Sequence, residues 1–132
     1  MKLGRLDAAT VPADAERLGL AMDALLENAI RHTRDGDLIQ LSVTGDGEAV
    51  RIAVSDTGSG IEAGELAHVF DRFRTGTDAN GSRGTGLGLA LVRAVADAHG
   101  GSARVRSVPG EGSEFEISLP APRQPLVHRA SP

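Results

Sequence analysis

A run of closely spaced glycines that leads into a helical pattern constrains this chain more than any other stretch. Within residues 81–91, Gly84, Gly86 and Gly88 alternate with single larger residues and precede apolar residues at helical spacing. Glycines leave backbone amides uncovered, and the amides at the start of a helix can face an anion. The stretch indicates either a phosphate-binding loop that opens a helix or a flexible loop before a glycine-rich helix start. Short glycine motifs alone do not decide between the two.

Length and composition exclude several classes of protein. The 132 residues suffice for one ordinary domain with its own core. The formal net charge of −4 argues against a nucleic-acid partner, because binding to a phosphate backbone needs a basic face. The absence of Cys excludes disulfides and thiolate zinc sites, and the four His have no metal-ligand spacing. No apolar run approaches the roughly 18 residues of a membrane span, so we expect no membrane contact by this chain.

The spacing of apolar residues and turn signals predicts an α/β domain with two β-hairpins. The Asp-Gly and Pro-Gly pairs between alternating segments are typical of hairpin turns. The predicted elements, in order, are an edge strand at 3–7, a helix at 14–33, strands at 39–43 and 50–54, helices at 62–69 and 86–99, and strands at 102–107 and 113–119. From Pro120 onward the chain holds four of its six prolines. We therefore expect a domain over residues 1–120 and a disordered tail over 121–132.

Both long helices are predicted to bury one face. The predicted core positions are Leu18, Met22, Leu25, Leu26 and Ala29 in the first helix and Leu87, Leu91, Val95 and Ala98 in the other. A second face of the first helix gathers Asn28, Arg31 and His32. That face is either a solvated charged surface or a functional one.

Polar motifs follow the second predicted strand and the short helix. Asp56 ends the strand and precedes Gly58 and Gly60, which is compatible with a surface turn or with a rigidly held carboxylate beside a flat ligand. Phe70 and Phe73 are interpreted as a core anchor. The polar residues 74–85 have the length and composition of a mobile lid, and Arg74 and Arg83 bracket them.

Four of these motifs, in this order and spacing, resemble the catalytic and ATP-binding domain of the bacterial sensor histidine kinases. Residues 25–33 resemble the N box, 56–60 the G1 box, 70–73 the F box and 84–89 the G2 box. The closing stretch from His99-Gly100-Gly101 to Pro120 is also similar to that family.

The resemblance implies the Bergerat fold, a two-layer α/β sandwich. Its sheet is mixed and mostly antiparallel, with helices on one face and a mobile ATP lid. It also implies a cytoplasmic domain, either free or part of a membrane-bound sensor, that binds ATP and Mg²⁺. Such a domain donates the γ-phosphoryl group to a histidine on a dimerisation domain, with a response regulator downstream in two-component signalling.

The resemblance also assigns residue roles. Asp56 accepts a hydrogen bond from the adenine amine, and Ser113, where the family often has Thr, supports the base. Asn28 holds Mg²⁺ through its amide oxygen, and Arg31 contacts phosphate. His32 stands where relatives often place Tyr. The predicted catalytic residues are Asn28, Arg31 and Arg83. The predicted nucleotide-binding residues are Asn28, Arg31, His32, Asp56, Gly58, Gly60, Ile61, Phe73, Arg74, Gly84, Thr85, Gly86, Leu87, Gly88 and Ser113.

No acceptor hairpin with a phosphorylated His fits in front of residue 14, and none of the four His lies in the family's acceptor motif. We expect either a piece of a longer kinase or one half of a split kinase. Two alternatives stay open, an anti-sigma-factor-type serine kinase and a non-catalytic nucleotide-sensing module. The serine kinases carry a glutamate four residues before the N-box Asn, whereas this chain has Ala24.

Overall fold

The computed structural model describes residues 2–6, 14–71 and 87–120, which form five strands and three helices. In chain order these are β1 (Lys2–Leu6), α1 (Ala15–Arg31), β2 (Ile39–Gly45), β3 (Ala49–Asp56), α2 (Ala63–Leu66), α3 (Gly88–Ala98), β4 (Ser102–Val108) and β5 (Gly112–Pro120). The predicted order of elements is confirmed, and the bounds differ from the prediction by a few residues. The predicted lid and the predicted tail lie outside the described residues.

The strands form one mixed sheet in the order β1-β2-β3-β5-β4. The β2–β3 and β4–β5 hairpins are antiparallel, as predicted, and β3 pairs with β5 in antiparallel fashion. β1 instead runs parallel to β2 at the sheet edge. The mostly antiparallel sheet predicted from the resemblance is therefore confirmed, with β3 at its centre.

Strand register gives the sheet one apolar face. Val54 lies opposite Phe115, and Ile52 lies opposite Ile117, so alternate side chains of the two central strands share a face. The same alternation places polar and charged side chains on the other face, where Arg106 pairs with Glu114. Only the apolar face has enough hydrophobic surface to pack against helices.

α1 and α3 pack against each other and against this face. The core contains Ala21, Leu25, Ala29, Val54, Val92, Val95, Ala96, Phe115, Ile117 and Leu119. Ala21 and Ala96 are fully buried, which lets the two helices approach closely. His99 Nε2 accepts a hydrogen bond from the backbone N–H of Asp14 at 2.9 Å, which joins the end of α3 to the start of α1.

The predicted core face of α3 is wrong except for Val95. Leu87 and Leu91 are 42% and 38% exposed, and Ala98 is exposed, whereas Val92 and Ala96 are buried. α3 is apolar on most of its circumference, so periodicity could not select the side that faces α1 and the sheet.

In α1 the prediction is confirmed for Leu25 and Ala29, which are buried. Leu18, Met22 and Leu26 are only half-buried, and the buried Ala21 was not predicted.

The region after β3 contains a shorter helix than the predicted 62–69, because turns follow Leu66. Phe70 packs edge-on against Phe115, with ring centroids 6.0 Å apart, so the predicted anchoring role of Phe70 is confirmed. Phe73 lies outside the described residues. Among the described helices, none has both the length and the apolar character needed to cross a membrane.

Candidate nucleotide-binding site

A buried carboxylate lies at the end of the central strand. Asp56 is the last residue of β3 and pairs in register with Ser113 near the start of β5. Within the described parts of the chain, these two are the buried polar side chains, each 7% exposed. Both lie on the face that α1 and α3 cover, where apolar side chains occupy the rest of the core. A polar pair in this position needs hydrogen-bond partners, because burial without them is costly.

The Asp56 carboxylate is held by hydrogen bonds from the backbone. Its Oδ1 accepts a hydrogen bond from the Gly58 N–H at 2.9 Å, across the turn that follows β3. Burial raises the pKa of the Asp56 carboxyl, and the N–H groups of Gly58 and Ser113 and the neighbouring His32 oppose this shift. The fixed oxygen sets the orientation of the group, so the carboxylate can act as a directed hydrogen-bond acceptor.

The raised pKa has a consequence for stability. The folded chain binds a proton on Asp56 more tightly than the unfolded chain, so the Asp56 contribution to stability falls as pH rises from the ordinary 3.8 through the raised value. Asp56→Asn removes the titration. We expect the free energy of unfolding of the variant, minus that of the wild type, to increase over this pH range. Urea unfolding followed by circular dichroism at about pH 4 to 7 measures the two free energies of unfolding. A difference between them that does not change with pH contradicts the expectation.

The loop after β3 is joined to the end of α1. The N–H of Ser59 donates to the carbonyl oxygen of His32, the residue that ends α1, at 3.1 Å. A Cβ placed on Gly58 would lie 2.0 Å from the same carbonyl oxygen, so glycine is required for this approach. The sequence predicted that glycines here let a flat ligand approach. The close contact at Gly58 is instead with the protein's own backbone, so the approach of a ligand stays a prediction.

The same loop is held on its other side by the β4–β5 turn. Gly60 has φ +73°, and a Cβ on it would lie 2.3 Å from the Val108 carbonyl oxygen. The N–H of Gly110 donates to the Ser59 carbonyl at 2.8 Å, and the N–H of Ile61 donates to Ser107 Oγ at 2.7 Å. Residues 57–61 therefore form a fixed wall beside Asp56.

α1 brings its polar face to the same end of the sheet. Asn28, Arg31 and His32 are all half-buried in the last turn of α1 or directly after it. One turn earlier, Ala24 lies close to α3. A Cβ placed on Gly88 would be 3.5 Å from the Cβ of Ala24. The start of α3 thus lies one helical turn from Asn28 along α1.

The start of α3 has the features of an anion site. Leu87 occupies the N-cap position, and in the described region no side chain caps the helix there. The first amides of such a helix lack intrahelical partners and favour negative charge. The phosphate contact at Leu87 and Gly88 stays a prediction. The predicted residues Phe73, Arg74, Arg83, Gly84, Thr85 and Gly86 lie outside the described residues.

The donor types fit a weakly chelated hard cation. In the residues that the structure describes, no cluster of three or more His, Asp or Glu side chains could hold a metal. Asn28 offers an amide oxygen, and Mg²⁺ commonly takes one or two protein oxygens together with water and phosphate oxygens. Asn28 is thus compatible with Mg²⁺ that arrives with a phosphorylated ligand.

Known proteins with similar sequences and folds settle the family. Residues 13–123 match the family described as histidine kinase-, DNA gyrase B-, and HSP90-like ATPase. The chain belongs to this family. Within it, the relatives and the fold identify the chain as a catalytic and ATP-binding domain of the sensor histidine kinase type, a part of two-component systems.

Three similar proteins illustrate the match. The sensor protein DivL of Caulobacter vibrioides is 44% identical over 119 residues, which are 90% of this chain and 15% of DivL. The sensor histidine kinase component HK1 of Mycobacterium tuberculosis is 43% identical over 116 residues, 88% of this chain and 68% of HK1. The structure of the mycobacterial sensor histidine kinase MprB matches with a TM-score of 0.82 and 29% identity, over 93% of this chain and 84% of that one. The chain thus spans only a small part of DivL.

One polar residue that holds the wall in place was missed in the sequence. Ser107 occupies an inward-facing position of β4, opposite Ser113. The signal was present, because Ala103 and Val105 precede it with the alternation of a half-buried strand. A serine that continues an inward-facing apolar row indicates a buried hydrogen-bond partner.

Proposed function

We propose that this histidine-kinase-type domain binds Mg-ATP and donates the γ-phosphoryl group to a histidine on a separate dimerisation domain. The response regulator of the same two-component system then receives the phosphoryl group. The observation that supports this most is the buried Asp56 carboxylate beside Ser113, at the sheet end where α1 ends. A directed carboxylate there can accept a hydrogen bond from the exocyclic amine of adenine, a contact that the guanine carbonyl cannot make.

The other end of the nucleotide meets α1 and α3. The first turn of α3, which begins at Gly88, accommodates phosphate oxygens through its backbone amides. Asn28 supplies an oxygen ligand to Mg²⁺, which when bound would neutralise phosphate charge, and Arg31 is close enough along α1 to add a positive charge. By resemblance, Arg83 or Arg74 approaches the γ-phosphate from the lid.

The transfer step requires a nucleophile that this chain does not contribute. A neutral imidazole nitrogen of the acceptor histidine attacks the γ-phosphorus, and the bond from that phosphorus to the bridging oxygen of ADP breaks. The imidazole proton passes to a base on the acceptor domain, and phosphohistidine and ADP are the products. The residues of this chain position the phosphoryl group and stabilise its charge.

Phosphotransfer in trans tests the proposal. The chain is mixed with γ-labelled ATP and with the His-bearing dimerisation domain of its own kinase, and acid-labile label on that domain is the expected result. Asn28→Ala should abolish it, which excludes a contaminating kinase. Acid-stable label on a serine would favour the serine-kinase alternative. ATP binding without transfer would favour the nucleotide-sensing module.

The chain alone should hydrolyse ATP slowly. Ala24 lies one turn before Asn28, packed against the start of α3, and has no group that accepts a proton from water. Glu27 is exposed on another side of α1 and does not replace it. General-base catalysis contributes about 10²–10⁴-fold, so we expect hydrolysis slower by about that factor than in relatives with a glutamate at this place. A coupled assay of ADP release measures the rate. Rapid turnover that Asn28→Ala abolishes would show this expectation to be wrong.

A further inference from the structure

The hydroxyl of Ser107 is the meeting point of three hydrogen bonds beside Asp56. Its Oγ lies 2.7 Å from the backbone nitrogen of Ile61, 2.8 Å from the carbonyl oxygen of Gly112 and 2.9 Å from Ser113 Oγ. Ser107 thereby connects the loop after β3 to the first two residues of β5, the second of which is the buried serine that pairs with Asp56. Three connections through one hydroxyl suggest a role beyond the local packing of β4.

The direction of each hydrogen bond follows from the atoms involved. The Ile61 N–H can only donate, and the Gly112 carbonyl can only accept. The single proton of Ser107 is therefore directed to Gly112, and its oxygen accepts from Ile61. The remaining contact requires Ser113 to donate its proton to Ser107. Ser113 Oγ then has only lone pairs left for any other partner.

We propose that Ser107 is a positioning residue for base recognition, which fixes the Ser113 hydroxyl as an acceptor beside the Asp56 carboxylate. This inference rests on the proposed binding of ATP. Asp56 and Ser113 are register neighbours on adjacent strands, so the buried end of the sheet presents two acceptors side by side. An exocyclic amine has two N–H donors that satisfy such a pair, one for each acceptor. A base without this amine leaves both acceptors without a donor, at the cost of burying unpaired polar groups.

Purine riboside triphosphate is the sharpest probe, because it differs from ATP by the absence of the 6-amine. The quantity of interest is the ratio of its Kd to the Kd of ATP, measured by calorimetry on the full chain. Removal of the Ser107 hydroxyl frees the Ser113 proton, and Ser113 no longer has to act as an acceptor. Ser107→Ala should therefore lower this ratio about 3- to 10-fold, the range of one hydrogen bond. Loss of the bond to Ile61 should also weaken both nucleotides together, which does not change the ratio.

Three further variants separate positioning from a merely structural role. Ser107→Thr keeps the hydroxyl and should restore the wild-type ratio. Ser113→Ala should lower the ratio as Ser107→Ala does, and the double variant should lower it no further, because both changes remove the same interaction. Ser55→Ala is the matched control. Ser55 precedes Asp56 in β3, but its hydroxyl donates to Glu114 at 3.2 Å on the opposite face of the sheet, so the ratio should not change.

The outcomes distinguish this inference from the proposed function. A wild-type ratio near one means that the amine is not recognised, and the proposed adenine contact fails. If the wild-type ratio is high and Ser107→Ala leaves it unchanged, the inferred role of Ser107 fails, whereas the proposed adenine contact stands. Circular dichroism melting of each variant establishes that the fold is retained. If Ser107→Ala does not fold, Ser113→Ala and Ser107→Thr still test the proposal. The ratio of the two Kd values must then be lower in Ser113→Ala than in Ser107→Thr.

Discussion

Asp56→Asn is expected to weaken ATP binding by about 10- to 100-fold while the fold is retained, since a hydrogen bond to a charged group contributes about 1.5–3 kcal/mol. The Gly58 N–H determines how the new amide is oriented, because it needs an acceptor at the position of Oδ1. The amide oxygen stays there, and the NH₂ group then points where the second carboxylate oxygen had been. A donor would face the amine of adenine, so the contact becomes repulsive.

Calorimetry with ATP and GTP measures this effect. The wild type should prefer ATP, and the variant should lose most of the preference. Asp97→Asn is a control of identical chemistry, because Asp97 is exposed in the last turn of α3, and its affinity for ATP should equal that of the wild type. Unchanged binding by Asp56→Asn, or equal wild-type affinity for ATP and GTP, contradicts the assignment of Asp56.

Gly58→Ala is expected to lower both stability and ATP affinity. The added Cβ would lie 2.0 Å from the His32 carbonyl oxygen and 3.0 Å from Asp56 Oδ1. The first partner is backbone and cannot rotate away, so the loop must separate from the end of α1. We expect a loss of about 2–4 kcal/mol in the free energy of unfolding. ATP binding should weaken at least about 10-fold, because the movement also displaces the carboxylate.

The chain contains no Trp or Tyr, so unfolding in urea is best followed by far-ultraviolet circular dichroism. Gly19→Ala in α1 is the matched control, because apart from its chain neighbours and the backbone of the same helix no heavy atom lies within 4 Å of the new Cβ. It should raise the free energy of unfolding by about 0.5–1 kcal/mol, the usual difference between Gly and Ala inside a helix. Gly58→Ala with wild-type stability and affinity would falsify the steric account.

Local patterns predicted the elements well, but not the sides on which they pack. Both hairpins were predictable because alternation and turn residues are encoded within a few positions of each other. The parallel pairing of β1 with β2 had no such signal, since it joins segments that are distant in sequence. The buried side of α3 was mispredicted because large apolar residues such as Leu91 were preferred over Ala96. In the structure, the smaller residue occupies the contact between the helices.

The sequence motifs selected the residues of the candidate site, but they did not predict the contacts among them. Asp56, Gly58 and Asn28 could be selected because their motifs occur in a fixed order along the chain. The tight approach of Gly58 to the His32 carbonyl could not be predicted, because it depends on how α1 meets the end of the sheet. The alternation in β4 could have shown that Ser107 faces inward, but not its partners, since these come from the loop after β3 and from the start of β5.

The double attachment of residues 57–61, to the end of α1 and to the β4–β5 turn, means that the wall beside Asp56 is preorganised. The Asp56 carboxylate beside the wall is oriented by a hydrogen bond from the protein's own backbone, so few torsions remain to be frozen when a ligand arrives. The entropic penalty of association on this side is correspondingly small. A rigid 6-aminopurine fragment without any phosphate should therefore bind at this wall with a large share of the binding free energy per atom that ATP has.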